Sequence, residues 1–375
     1  MIYADYAATT PIDEDVADEM FAYLKTNFAN PSSIHSCGRE ASSVIENARK
    51  QIAKILNAQK NEIYFTSGGT ESDNWAIQGV LAATEKKHII TSLIEHHAVL
   101  NCCKALEKKG IKVTYLPVDK FGKVDINALR EAITSDTALI SIMTANNEIG
   151  TIQDIDKIGE IAKEYNISFH TDAVQAAGNL NIDVKKSNVS LLSVSAHKFY
   201  GPKGIGVLYI KEGTKISNLC YGGSQERDRR PGTLNTPLIV GMASALKKAS
   251  DNLESNNLTV IKRVETVKEI VTKELPEAIF NGHPYDRLKG NLSVSFRDIQ
   301  SESLLVLLDT MGVCVSAGAA CSAGAVKTSH VLKAINKDAQ KYGTIRISLS
   351  HLTSEEEAIA IGNAVVNAVK NLKNK

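Results

Sequence analysis

The stretch Ser190-Leu-Leu-Ser-Val-Ser-Ala-His-Lys-Phe-Tyr-Gly-Pro-Lys-Gly-Ile-Gly-Val-Leu-Tyr-Ile210 decides how this chain is read. An apolar run (Leu191, Leu192, Val194) ends in Ser195-Ala196-His197-Lys198, passes through Gly201, Pro202, Gly204 and Gly206, and resumes from Val207 to Ile210. Short apolar runs bounded by Gly and Pro read as strands. Lys198 then stands at the exit of a buried strand, in a tight loop. Two readings fit a lysine there. It is a plain strand-end residue of a hairpin, or it forms a Schiff base, for which partial desolvation lowers the amine's pKa and a fixed backbone aims it.

Upstream, strand-like and helix-like runs alternate. Residues 62–65, 88–92, 112–116, 138–144 and 167–170 read as strands. Residues 41–55, 71–83, 98–109 and 155–165 read as helices; Ala41, Val44, Ala48, Ile52 and Ile55 keep helical spacing. Such βαβα order predicts an α/β fold with a mainly parallel sheet covered on both faces, and ligands off the carboxyl ends of the strands. After residue 210 the texture changes. Residues 237–275 read as one long connecting helix, 292–296 and 344–349 as strands, and the chain closes on an amphipathic helix opened by a capping box of Thr353 and Glu356. This tail reads as a second, α+β domain. The expected division is a large domain over 13–255 and a smaller one from 1–12 and 256–375.

Of 375 residues, 43% are hydrophobic and 23% charged, as in an ordinary globular protein able to bury a large core. A net charge of +1 recommends neither nucleic acid nor an anionic membrane as partner. The opening MIYADYAATTPIDED has no basic and apolar signal regions, and no run of about 18 apolar residues occurs, so a cytoplasmic location is expected. Cys37, Cys102, Cys103, Cys220, Cys314 and Cys321 include no C-x-x-C pair, which argues against a disulfide framework or a zinc ribbon. Most read as inert buried thiols, Cys314 between Val313 and Val315 among them.

Several further groups fall at strand ends. In Ser67-Gly68-Gly69-Thr70-Glu71-Ser72-Asp73 a strand exits through glycines into a helix. Bare amides and the Thr70 hydroxyl make an anion cradle there, or the turn is plain, capped by Thr70 with Asp73 reaching back. Asp172 ends a strand, where a buried carboxylate needs a cation such as a protonated pyridine nitrogen, or a hydrogen-bonded loop; Gln175 reaches the same place. In Glu95-His96-His97 the histidines lack metal-ligand spacing, and no metal is expected; one of them suits stacking on a flat heterocycle and proton transfer, or is a helix-start histidine with no role. Cys321 lies in Ser316-Ala-Gly-Ala-Ala-Cys-Ser-Ala-Gly324, where small neighbours suit a thiol that must travel, or a small filler in a close-packed turn. Arg346, in an apolar strand, pairs with either a substrate carboxylate or an internal one.

With these residues in view, the chain resembles the cysteine desulfurases that serve iron–sulfur cluster assembly, within the class V, fold-type I pyridoxal-phosphate enzymes. The likeness runs from Tyr3-Ala-Asp-Tyr-Ala-Ala-Thr-Thr-Pro11 to the final helix. It is carried by Asn30-Pro-Ser-Ser33, Thr66-Ser-Gly-Gly-Thr-Glu-Ser-Asp-Asn74, Asn146-Asn-Glu-Ile-Gly150, Thr171-Asp-Ala-Val-Gln175, Ser195-Ala-His-Lys198, Arg229-Arg-Pro-Gly-Thr233 and the Cys321 stretch. The resemblance implies a seven-stranded sheet and a smaller domain bearing the catalytic cysteine. It implies Lys198 as Schiff-base lysine, Asp172 on the pyridine nitrogen, His96 on the ring and Gln175 on the phenolic oxygen. Asn147 would contact cofactor and substrate. Gly69, Thr70, Ser195 and His197 would seat the phosphate, with Thr233 reaching in from the second subunit of a homodimer. Arg346 would grip the cysteine carboxylate. Cys321 would take the sulfur as a persulfide for a scaffold or other acceptor protein, releasing alanine.

The family often has Gly-Arg where this chain has Ser350-His351, and a serine at Ala319. Lys203 is a rival lysine by proximity. An aminotransferase or a selenocysteine lyase keeps the cofactor without needing Cys321, and a non-catalytic dimeric scaffold needs neither.

Overall fold

The computed structural model describes residues 1–317, 328–336 and 338–374. Its strands are β1 (Ile2–Tyr3), β2 (Ile63–Thr66), β3 (His88–Ser92), β4 (Lys112–Leu116), β5 (Thr137–Ser141), β6 (Ser168–Asp172), β7 (Leu191–Ser195), β8 (Gly206–Ile210), β9 (Ile279–Asn281), β10 (Asn291–Arg297), β11 (Val313–Cys314) and β12 (Tyr342–Ser348). The large sheet has seven strands in the order β2-β8-β7-β6-β5-β3-β4. Its pairs are parallel from β7 to β4, and β8 runs antiparallel to both neighbours.

Strands buried on both faces carry unbroken apolar runs, and the two-residue pleat divides them. Ile90, Ile140 and Leu192 point into the core beneath the helices Ser36–Ile55 and Thr236–Asp251. Ile89, Leu139 and Leu191 point the other way, beneath Gly69–Ala82 and His97–Glu107. A separate core lies between the antiparallel sheet β12-β10-β9 and the helices Leu253–Glu274 and Glu355–Lys373; Ala4 joins it, beside the parallel pair β1-β11.

Three expectations are corrected. The stretch read as one long helix is two, Thr236–Asp251 and Leu253–Glu274, broken at Asn252, which caps the first. The last helix is opened by Ser354 and Glu357, one residue beyond the expected pair, with Ser354 N bonded to Glu357 Oε2 and Glu357 N to Ser354 Oγ. The turn after β2 enters its helix at Gly69 with Gly68 as N-cap and no side-chain cap, so neither Thr70 nor Asp73 caps it.

The outer edge of β2 is covered by side chains. Arg49, buried on the helix Ser36–Ile55, donates to the Ile63 carbonyl at 2.7 Å and makes a two-pronged pair with Glu226 at 2.9 and 2.6 Å. Glu226 also accepts from Phe65 N at 2.7 Å, and Arg227 donates to the Ile63 carbonyl at 2.7 Å. Glu226, Arg227 and Asp228 all hold positive φ (46°, 57° and 62°), a conformation ordinary side chains adopt only when held. Glu226→Ala removes the two-pronged partner of the buried Arg49 guanidinium, leaving it Glu46 on Nε at 2.9 Å, and strands the Phe65 amide. We expect a loss of about 3–5 kcal/mol, read as a lowered urea midpoint; a loss under about 1 kcal/mol would show that the pair does not hold this edge.

Candidate active site

Turns at the carboxyl ends of β2, β3, β5, β6 and β7 meet at a cavity of about 270 Å³. β7 stops at Ser195, and a 3-10 turn over Ala196–Lys198 carries Lys198 to its wall. The N-terminal segment pins this turn. Thr10 N and Thr10 Oγ1 donate to the His197 carbonyl at 3.0 and 3.1 Å, and Tyr200 N donates to Thr10 Oγ1 at 2.8 Å. Lys198 Nζ donates to the carbonyls of Ala7 and Ala8, at 2.8 Å each. Lys203 is exposed and stands off the cavity.

Asp172, the last residue of β6, lies in the cavity wall with Oδ1 accepting from Val174 N at 2.9 Å. Burial raises its pKa, while His96 and Lys198 pull it down. Asp73, on the helix Gly69–Ala82, is fully buried close by. Neither of its oxygens receives a hydrogen bond of ordinary geometry, although the Ser193 hydroxyl lies near enough to favour the ionised form. Burial, and then the charge of Asp172, hold Asp73 well above the usual carboxylate range. His170 sits between the hydroxyls of Ser141 (2.9 Å) and Ser193 (3.0 Å); burial drives its pKa to about 3, so it supplies no cation. Asp73, His96 and Asp172 each place one polar atom within 4.8 Å of the others. A buried carboxylate pair short of positive charge fits the protonated nitrogen of a flat heterocycle.

His96 opens the helix His97–Glu107, its Nδ1 accepting from Ala98 N at 3.2 Å, and burial lowers its pKa. Gly69, Thr70, Ser195 and His197 share the same wall. The helix beginning at Gly69 has no side-chain cap, so its first amides are open to an anion. Burial, with Lys198 and Lys203 beside it, takes His197 down to about 4, which leaves a neutral imidazole whose Nδ1 lies 3.1 Å from Thr9 Oγ1. Gly206 is dictated by this turn, because a Cβ there would fall 2.6 Å from Gly68 Cα.

Gln175 Nε2 donates to the Ala7 carbonyl at 2.9 Å, and Asn147 lines the cavity with its carbonyl accepting from Arg346 Nη1 at 2.9 Å. Arg346 reaches the same cavity from β12, and its Nη2 lies 2.7 Å from Asp5 Oδ1 while its buried Nε has no partner. It therefore has an internal carboxylate and also faces the cavity. Thr233 is exposed and does not line the cavity of its own chain. Cys321 lies outside the described residues. The chain flanking it is tied to cavity residues on either side: Ser316 exchanges backbone hydrogen bonds with Arg346, Ser329 Oγ donates to Glu148 Oε2 at 2.5 Å, and His330 Nε2 lies 3.0 Å from the Glu95 carbonyl.

Among the other cysteines only Cys102 and Cys103 are buried, with thiols pushed up to about 11 and about 12 by burial. Cys37 and Cys220 are exposed and Cys314 is half-buried, so the expectation that most are buried is corrected. Sequence reading missed Asp5, Ala7, Ala8, Asp73, Glu95, Glu148 and His330. The carbonyls carry no side-chain signal. Asp73 and Glu148 do: each is a carboxylate inside a motif quoted above, followed within two residues by Trp75 or Ile149.

Residues 2–360 match the model of the aminotransferase class-V family. The chain is 50% identical to the cysteine desulfurase IscS of Methanosarcina thermophila, over 100% of this chain and 93% of that protein. Among solved structures, a NifS-like protein superposes with a TM-score of 0.92 at 38% identity, covering 99% of this chain and 100% of that one. SspA in complex with cysteine gives 0.80 at 38% identity, covering 93% and 99%.

Glu95 yields a pH test. Burial raises it from 4.5 to about 8, against hydrogen bonds from Ser92 Oγ (2.5 Å) and Met143 N (3.1 Å). The native state thus keeps a proton that the unfolded chain releases. The stability it contributes is full below about pH 4.5 and is lost as pH rises through about 8. Glu95→Gln is neutral throughout, so between about pH 5 and about pH 8 its urea midpoint should fall less than that of the unsubstituted protein. Parallel profiles would refute the assignment.

Proposed function

Because this chain belongs to the aminotransferase class-V family, we infer that it is a pyridoxal-phosphate-dependent cysteine desulfurase, which takes sulfur from L-cysteine and releases L-alanine. The observation that carries the reading is one cavity with four matched stations: the Lys198 amine, the Asp172 carboxylate, the open helix start at Gly69 and the Arg346 guanidinium. The donor set fits the cofactor. Asp172 would orient and keep charged its ring nitrogen, His96 would cover the ring, and Gln175 would bond the phenolic oxygen. Thr70, Ser195, neutral His197 and the amide of Gly69 would seat the phosphate. When bound, pyridoxal phosphate supplies a carbonyl for a Schiff base and a sink for the electrons of a broken Cα–H bond.

The protein's own groups do the rest. Arg346 and Asn147 fix the substrate carboxylate, which aims its Cα–H at Lys198. Lys198 holds the cofactor, then takes and returns the α-proton. The Cys321 thiolate accepts the sulfur: an Sγ–S bond forms as the substrate Cβ–S bond breaks, and a proton takes sulfur's place on Cβ. The persulfide passes to an acceptor protein of iron–sulfur cluster assembly. The enzyme works as a cytoplasmic homodimer in which Thr233, exposed on its own protomer, completes the phosphate seat of the other. Among the described residues no helix is long and apolar enough to cross a membrane.

Cys321→Ala should retain the cofactor's visible absorbance while sulfide release from cysteine falls at least about a hundredfold, the order expected for removing a nucleophile. After cysteine and before reductant, mass spectrometry should find a one-sulfur adduct on the Cys321 peptide alone. Sulfide release at the normal rate from Cys321→Ala would exclude this mechanism. Sedimentation velocity checks the dimer.

A further inference from the structure

We propose that Asp5 is a specificity-determining residue, whose carboxylate occupies the Arg346 seat until a substrate carboxylate replaces it. The inference rests on the reading of Arg346 as that seat. The Arg346 side chain is 3% exposed, and a guanidinium so buried needs an anion beside it. Asp5 supplies it through a single contact, Nη2 to Oδ1 at 2.7 Å, and Nε is left buried without a partner. A free carboxylate can make two parallel bonds to an arginine, where Asp5 makes one.

Asp5 is presented by backbone. It forms a bridge to Ser348 on β12, while Tyr6 N bonds the Ser348 carbonyl at 3.2 Å and Ala7 N bonds Ser348 Oγ at 2.9 Å. The Tyr3 hydroxyl is spent on the carbonyls of Asp5 and Thr9, and Glu148, the other carboxylate acting on Arg346, is held by Ser329. Two carboxylates on one buried guanidinium repel each other. An incoming α-carboxylate therefore gains Arg346 by exchange, whereas an aminothiol lacking a carboxylate leaves Asp5 in place. The same segment continues into Ala7 and Ala8, whose carbonyls hold the Lys198 amine. The seat and the lysine thus share one N-terminal segment.

The test uses the cofactor-loaded enzyme titrated with L-alanine, followed by the visible spectrum. Asp5→Asn should bind alanine roughly tenfold more tightly than the unsubstituted protein, the worth of one charged hydrogen bond. Asp5→Ser is measured in parallel, so that poor folding of one variant leaves the other. A second readout needs no cofactor: acetate, at constant ionic strength against chloride, should raise the melting temperature of apo Asp5→Asn and leave the unsubstituted apoprotein unmoved. Unchanged or weakened alanine binding in both variants overturns the proposal and makes Asp5 a fixed brace. Arg346→Gln separates the two levels. If it loses alanine affinity while the Asp5 variants gain none, only the Asp5 proposal fails; if it leaves alanine affinity unaltered, the seat itself is misassigned and both fall.

Discussion

The site depends on one constraint, that the N-terminal segment lies across the carboxyl edge of the large sheet. Thr10 clamps the His197 carbonyl and the Tyr200 amide, Ala7 and Ala8 receive the Lys198 amine, and Asp5 meets Arg346. None of these partners is near in sequence. A lysine at the end of a strand has long, flexible reach; here its backbone turn is fixed from outside and its amine is given an address. Once that segment is in place, the two cores bring β12 and β7 to face the same cavity.

Charge around the cavity follows the same economy. His170 and His197 are kept neutral by burial, Glu95 is held protonated into the neutral range, and the Arg346 guanidinium and Lys198 amine are already hydrogen-bonded. The exceptions are Asp172 and Asp73, carboxylates whose burial is expensive unless something cationic joins them. A site that leaves two buried carboxylates beside an open cavity is shaped for a ligand carrying positive charge at that point.

Much of this was legible in the sequence. Strands 88–92 and 112–116 fall where the apolar runs place them, and Lys198 stands at a strand exit because Ser195 and Gly201 bracket a short run of known kind. Other features were hidden for definite reasons. The break at Asn252 carries no Gly or Pro, so helical spacing runs through it unmarked. Strands β1 and β11 are two residues each, too short for any period. The helix Glu14–Thr26 went unread although Asp13 caps it, accepting from the amides of Asp15 and Val16. Carbonyl acceptors such as Ala7 and Ala8 leave no trace in residue type; only the three-dimensional path of the chain reveals them.

The covered edge of β2 has a consequence for how copies of this molecule can meet. The Ile63 carbonyl and the Phe65 amide are already engaged by Arg49, Arg227 and Glu226. A foreign strand approaching there finds no ladder to extend, so edge-to-edge polymerisation is blocked at this margin of the sheet. Association between copies is thereby steered toward side-chain surfaces, where a mismatch can be rejected, and away from indiscriminate backbone pairing.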